Sequence, residues 1–223
     1  MIPPWLETLE RAATDVEAHQ ISRFLPPDDG SGRRSAVLVL FGDPGAGPSV
    51  LLIERASTLR KHAGQVAFPG GACDAEDADA TATALREAAE EVGLDPASVE
   101  VFGLLPDLFL TVTGFVVSPV LGYWRVPHPV TALDVAEVAH VVVVPISELT
   151  APGNRFTVHH LAGHVGPGFF AGGLFVWGFT AMILDAVLAL GGWAQPWDKT
   201  VLRDIPDSAI VSERSALTGT VEP

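Results

Sequence analysis

A chain of 223 residues, 48% of them hydrophobic, is long enough for one well-packed domain with appended elements. Its net charge of -14 excludes general nucleic-acid binding, because a duplex binder needs a broad basic footprint. Cys73 is the only cysteine, which excludes an internal disulfide and suits a reducing, cytoplasmic setting for a passive thiol.

The N-terminus, Met1-Ile2-Pro3-Pro4-Trp5, lacks a basic start followed by an apolar core, so no secretory signal is expected. Trp5, Leu6, Leu9, Ala12, Ala13 and Val16 predict a helix within residues 5–20. Pro26-Pro27-Asp28-Asp29-Gly30-Ser31-Gly32 predicts a linker, so residues 1–33 form a leading unit ahead of a domain over residues 34–190. Residues 35–41 and 49–53 are short apolar runs that predict strands, bracketing a turn-rich segment at 42–48. Arg55, Arg60, Lys61 and His62 then form the densest basic cluster of an acidic chain. Beside a carboxylate-bound metal, such a cluster binds the phosphates that the metal leaves charged. Alone, it would serve only solubility.

Phe68-Pro69-Gly70-Gly71 predicts a turn whose two glycines let the backbone approach a ligand. It leads to Leu85-Arg86-Glu87-Ala88-Ala89-Glu90-Glu91-Val92-Gly93-Leu94. Leu85, Ala88 or Ala89, and Val92 recur at helical spacing, Gly93 sits where a left-handed cap falls, and Pro96 prevents continuation. Glu87 lies one turn from both Glu90 and Glu91, so the three carboxylates repel unless a cation lies between them. A hard divalent ion, Mg2+ or Mn2+, held with substrate phosphates satisfies that need. The bland alternative is a solvated acidic face. Arg86 is spaced to pair with Glu90 and offset part of the repulsion.

Residues 99–105, 115–123 and 138–144 predict further strands. Residues 171–190 are mostly apolar and near membrane-spanning length, but Asp185 and the lack of a basic flank argue against a span. Trp177, Ala181, Leu184 and Leu188 instead predict a buried amphipathic helix covering a sheet. Residues 191–223 form a C-terminal extension, and its partly polar stretch 204–223 has little periodicity, suiting disorder or contact with a partner subunit, so a homodimer is compatible with the sequence. This order of elements fits an α/β class with a mixed sheet between helices.

Gly71 and Arg86 through Leu94 resemble the signature box of the Nudix hydrolases. Two departures stand out: Asp77 fills the first acidic slot in place of Glu, and eight residues rather than seven separate it from Arg86. Leu51-Leu52-Ile53-Glu54-Arg55-Ala56, Arg60, Gly64 and Phe68 through Gly71 resemble the narrower signature of the coenzyme A pyrophosphatase branch, which also tends to carry the longer box. Segments 107–119 and 177–184 are similar to that branch as well. The resemblance implies a Nudix-type α/β/α sandwich and metal-assisted hydrolysis of a pyrophosphate bond. Glu87, Glu90 and Glu91 would hold Mg2+ or Mn2+, and Arg86, Glu90 and Glu91 would be the catalytic group. Arg55, Arg60, Lys61, His62, Gly70 and Gly71 would bind substrate.

The implied partner is a small nucleotide diphosphate, with no role for nucleic acid or membrane. Coenzyme A or its thioesters would give adenosine 3',5'-bisphosphate and 4'-phosphopantetheine or its acyl form. ADP-ribose, NADH or dinucleoside polyphosphates are the alternative substrates, and a non-catalytic nucleotide-sensing module is the alternative class. The general base is open among Glu90, Glu91, Glu137 and Glu148.

Overall fold

The computed structural model describes residues 1–45, 47–59, 62–159 and 165–206. After a 3-10 turn at Pro4–Leu6, the chain forms α1 (Glu7–Asp15) and α2 (Ala18–Ile21), where one helix is expected over 5–20. Val16 breaks it by taking an extended backbone, with ψ 135°. Glu17 then opens α2 with a reciprocal capping box, in which its backbone N–H donates to Gln20 Oε1 at 2.8 Å. Two orphan amides are satisfied by that restart, which a continuous helix would not need.

The main sheet contains β1 (Arg33–Gly42), β2 (Ser49–Arg55), β3 (Val66–Ala67), β4 (Gly70–Ala72), β5 (Val99–Leu104), β6 (Leu108–Leu110), β7 (Phe115–Trp124) and β8 (Val138–Pro145). β1 runs parallel to β7 over its length, whereas β2, β4 and the β5–β7 and β2–β8 pairings are antiparallel. β1 and β2 share only the Phe41–Val50 and Gly42–Ser49 registers before they part. The gap receives β3 on β2 and β4 on β1, joined through Phe68 and Pro69, so Gly70 and Gly71 are strand residues opposite Val37 and Ala36.

Alternation along β1 and β2 sends side chains to two cores. Leu38, Leu40, Leu51 and Ile53 pack with Ala84, Ala88 and Val92 of α3 (Ala80–Val92) on one face. Val39, Phe41, Val50 and Leu52 pack on the other face with Leu9 of α1 and with Ala181, Leu184 and Val187. The result is a mixed sheet between helices, as the order of elements predicts.

After α4 (Ile146–Thr150), a second sheet forms from β9 (Arg155–His159), β10 (Val165–Ala171), β11 (Leu174–Val176) and, past α5 (Gly178–Leu190), β12 (Leu202–Asp204). Its order is β11-β10-β9-β12. The helix expected over 171–190 is therefore confined to its last thirteen residues. Gly172 and Gly173, at φ 60° and 76°, reverse the chain between β10 and β11 and place residues 174–176 in a strand.

Arg155 is buried in this region, with its guanidinium 4.3 Å from the Phe169 ring and 4.7 Å from the Trp197 ring. It also pairs with Asp185 of α5, which explains a carboxylate in an otherwise apolar helix. Among the described residues no helix is long and apolar enough to cross a membrane.

Candidate active site

The orientation of α3 fixes the site. Asp79 caps its start by accepting from Ala82 N–H at 2.8 Å, and Gly93, at φ 70°, ends it. With Ala84, Ala88 and Val92 pressed on the sheet, Glu87 and Glu91 are turned toward β4, and Glu90 points outward with its side chain 61% exposed.

Glu91 is only 3% exposed. One carboxylate oxygen accepts from Gly70 N–H at 3.0 Å, and the other lies 3.8 Å from the Arg55 guanidinium. Burial nevertheless dominates and pushes its pKa up to about 7, with the Glu87 and Glu137 charges adding to the rise. Glu87 is raised as well, first by burial; Arg86 opposes that rise, while Glu90 and Glu137 add to it. Glu137 thus joins the two helix glutamates electrostatically from the segment before β8. Its backbone is fixed there, because its carbonyl accepts from Ala56 N–H at 2.8 Å.

Arg86 braces the other side. Its guanidinium donates twice to Asp77, at 3.1 and 3.0 Å, and to the Ala72 carbonyl at 3.1 Å. It also pairs with Glu87 at 3.1 Å and with Glu90 at 3.0 Å. The Asp77 carboxylate is committed to Arg86, to the Thr83 hydroxyl at 2.9 Å and to Asp74 N–H at 2.9 Å. Those contacts, Arg86 first, hold it well below the usual carboxylate range. Asp77 thus braces this loop against Arg86 and Thr83 of α3.

The structure brings together Glu87, Glu91, Arg55, Gly70, Gly71 and Glu137, and it sets Glu90 on the outer side with Arg86. Arg60 and Lys61 lie outside the described residues. His62, at φ 58°, has Nδ1 2.9 Å from Gln65 Oε1, and the Gln65 carbonyl accepts from Arg55 N–H at 2.9 Å. It therefore belongs to the same strand extension as Arg55. Glu148 lies elsewhere, accepting from Gly172 N–H at 2.7 Å.

Among the described residues no group of three His, Cys, Asp or Glu side chains is drawn together as a ready-made metal cage. The residues still fit a hard divalent cation. Glu87 and Glu91 are adjacent oxygen donors raised by burial, with Arg55 no nearer than 3.8 Å to Glu91. Oxygen ligands supplied by one or two carboxylates, with water and phosphate completing the set, are what Mg2+ takes.

The paired glycines have separate causes. A Cβ on Gly70 would lie 2.3 Å from the Ala36 carbonyl oxygen and 2.7 Å from Val37 Cα, a clash with backbone. A Cβ on Gly71 would lie 2.4 Å from Glu87 Oε1, at the tip of a side chain that can swing away. Gly70→Ala is expected to destabilise the protein by several kcal/mol, on the order of other overpacked sites. Gly71→Ala is expected to keep the parent's thermal midpoint within a few degrees and lose activity roughly tenfold to a hundredfold by displacing Glu87. Melting curves and turnover of both variants check this; equal behaviour of the two would overturn the assignment.

The sequence profile of the family described as NUDIX domain matches residues 32–162. A Cronobacter sakazakii protein named "Uncharacterized Nudix hydrolase NudL" is 46% identical over 149 residues, spanning 65% of this chain and 76% of the relative. Its Salmonella paratyphi B namesake is 44% identical over 148 residues, with the same two shares of 65% and 76%. Among solved structures, the Nudix hydrolase RenU from M. smegmatis is similar in fold, with a TM-score of 0.53 at 17% identity. That likeness spans 79% of this chain and 98% of RenU.

Proposed function

We propose, from the premise that this chain belongs to the Nudix hydrolase family, that it hydrolyses the diphosphate of coenzyme A or acyl-coenzyme A. The enzyme class is that of a pyrophosphohydrolase, and Nudix hydrolases generally use divalent metals. The observation that carries the reading is the position of Arg55. It belongs to the upstream signature at residues 51–71, and its guanidinium lies 3.8 Å from Glu91, where a diphosphate would bind.

Glu87 and Glu91, with Glu90 at the outer edge, would hold Mg2+ or Mn2+. When bound, the ion neutralises the diphosphate and lowers the pKa of an attacking water. Arg55 pairs with phosphate oxygens, and His62 extends that basic wall, with Arg60 and Lys61 assigned to it from the sequence. Gly70 and Gly71 serve the substrate site through their backbone, Gly70 N–H holding the Glu91 carboxylate and Gly71 leaving room for that of Glu87. Glu137 accepts the proton of the water as it attacks phosphorus, and the P–O–P bridge breaks with its electrons on the departing phosphate. Glu148 is occupied with Gly172, which favours Glu137 for that role. Arg86 positions Glu87 and Glu90. The products are adenosine 3',5'-bisphosphate and 4'-phosphopantetheine or its acyl form.

A substrate panel with Mg2+ and Mn2+ tests the reading, using coenzyme A, acyl-coenzyme A, ADP-ribose, NADH and diadenosine polyphosphates. A kcat/KM at least about tenfold higher for the coenzyme A compounds is expected, a difference of ~1.4 kcal/mol in transition-state binding. Equal or better use of ADP-ribose or the dinucleotides would transfer the assignment to a sibling pyrophosphatase.

A further inference from the structure

Gln65, the residue before β3, is bonded to Arg55 through its backbone and to His62 through its side chain. Its carbonyl accepts from Arg55 N–H at 2.9 Å, while Gly64 N–H donates to the Arg55 carbonyl at 3.1 Å. Gly64 and Gln65 thus stand opposite the single residue Arg55, with Gly64 at φ 66°, a β-bulge of the kind that takes glycine at its first position. On the far side of β2, Ala56 N–H donates to the Glu137 carbonyl at 2.8 Å. The backbone that carries Arg55 is therefore tied on both flanks.

Alternation decides the face on which the Gln65 side chain lies. Ala67, two residues on, packs with the α3 side of the sheet, so Gln65 is turned to that side as well. Ile53, opposite Ala67, belongs to the same side, as does Arg55 two residues later, whose guanidinium lies 3.8 Å from Glu91. There the Gln65 side-chain oxygen lies 2.9 Å from His62 Nδ1. An amide oxygen only accepts, so Nδ1 is a nitrogen that carries a proton. His62 stands at φ 58°, uncommon for a residue other than glycine, and Gln65 N–H closes the turn by donating to the His62 carbonyl at 3.2 Å.

We propose that Gln65 is a positioning residue that sets Arg55 and the His62 ring as one two-pronged seat for the phosphates of the substrate. Its backbone fixes the strand from which Arg55 projects, and its side chain fixes the ring. An acceptor without charge suits the place. A carboxylate would hold the imidazole equally well, but it would add a negative charge to the Arg55 side of the site, against the anion that has to bind. This rests on the proposed function only in taking Arg55 and His62 as phosphate contacts.

The test joins nitrogen NMR of the histidines, at alkaline pH in the full chain, with calorimetric binding of methylenebisphosphonate in the presence of Mg2+. In the parent the His62 resonances should be those of a ring protonated at Nδ1. Gln65→Met keeps the backbone bonds and the bulk but removes the acceptor. That signature should then be lost and the bisphosphonate should bind about fivefold more weakly, the scale of one hydrogen bond. Its thermal midpoint should stay within a few degrees of the parent's. Gln65→Glu, which restores an acceptor, should keep the Nδ1 signature. The Gln65→Met/His62→Ala double variant should bind like His62→Ala alone, because the side chain at 65 then has nothing to hold. Losses that multiply in the double variant, parental affinity or a surviving Nδ1 signature in Gln65→Met, or loss of that signature in Gln65→Glu overturns the seat and leaves the proposed function standing. A parent that does not bind the bisphosphonate refutes the phosphate site itself, and the seat with it.

Discussion

Glu91→Gln should reduce turnover by about a thousandfold or more, and the same variant should make the metal-free protein more stable at pH 8. Loss of activity on that scale is expected for a carboxylate that helps hold and stabilise the reacting charge. The stability gain follows from burial. The Glu91 pKa is pushed from 4.5 to about 7 in the folded protein, so the fold disfavours the ionised form. For an acid raised on folding, the native state binds the proton more tightly than the unfolded chain. Stability therefore falls as pH rises from about 4.5 to about 7 and is level above that. The difference corresponds to a penalty on the order of 3 kcal/mol at pH 8. A glutamine can still accept from Gly70 N–H and carries no charge to bury, although it forfeits the attraction to Arg55.

Urea unfolding in EDTA at pH 5 and pH 8 should show a parental decline that is smaller in the variant, where the raised Glu87 still contributes. Activity equal to the parent's would remove Glu91 from the metal site, and an unchanged pH slope would remove it as the source of the penalty.

Arg86→Lys should be nearly as damaging to catalysis, with kcat/KM down roughly a hundredfold, although the charge is conserved. A lysine has one compact ammonium, whereas Arg86 bonds Asp77 twice, holds the Ala72 carbonyl and pairs with Glu87 and Glu90. Losing the fork releases β4 from α3 and lets Glu87 swing. Asp77 supplies an independent readout. Because its folded pKa is depressed, its contribution to stability is complete above the unfolded value of 3.8 and is lost as pH falls below it. The parent should thus lose stability on acidification below about pH 4, and the lysine variant should lose less. Parental activity together with a parental acid profile would show that the contacts of Arg86 are dispensable.

α3 is legible in the sequence because its signals agree: Leu85, Ala88 and Val92 recur on one face and Gly93 closes it, whereas the Asp79 cap and the deeper burial of Ala84 are read only from the structure. Spacing alone does not tell Glu90 from Glu91. Both lie within a turn of Glu87, but the packing of Ala88 and Val92 rotates one into the protein and the other into solvent. Asp77 is visible as a departure from the family spacing, yet its commitment to Arg86 depends on a loop fold that no periodicity encodes.

Residues 171–176 continue the apolar character of the helix after them, and only Gly172-Gly173 marks the hairpin. β10 is harder still to read, since Gly166, Pro167 and Gly168 look like breakers. Gly168 is there because the Phe156 ring fills the place of a side chain, at 2.4 Å from where its Cβ would stand.

The stacking of Arg155 between Phe169 and Trp197 has a consequence for how far the chain can be shortened. A version cut after Leu190 would keep α3, α5 and the whole main sheet, yet it would strip one aromatic cover from a buried cation and delete β12. The outer edge of β9 would then present unpaired amides and carbonyls to any other copy in solution. Such a fragment is expected to associate edge to edge, whereas one extending past Asp204 keeps that edge covered; light scattering of the two lengths would separate them.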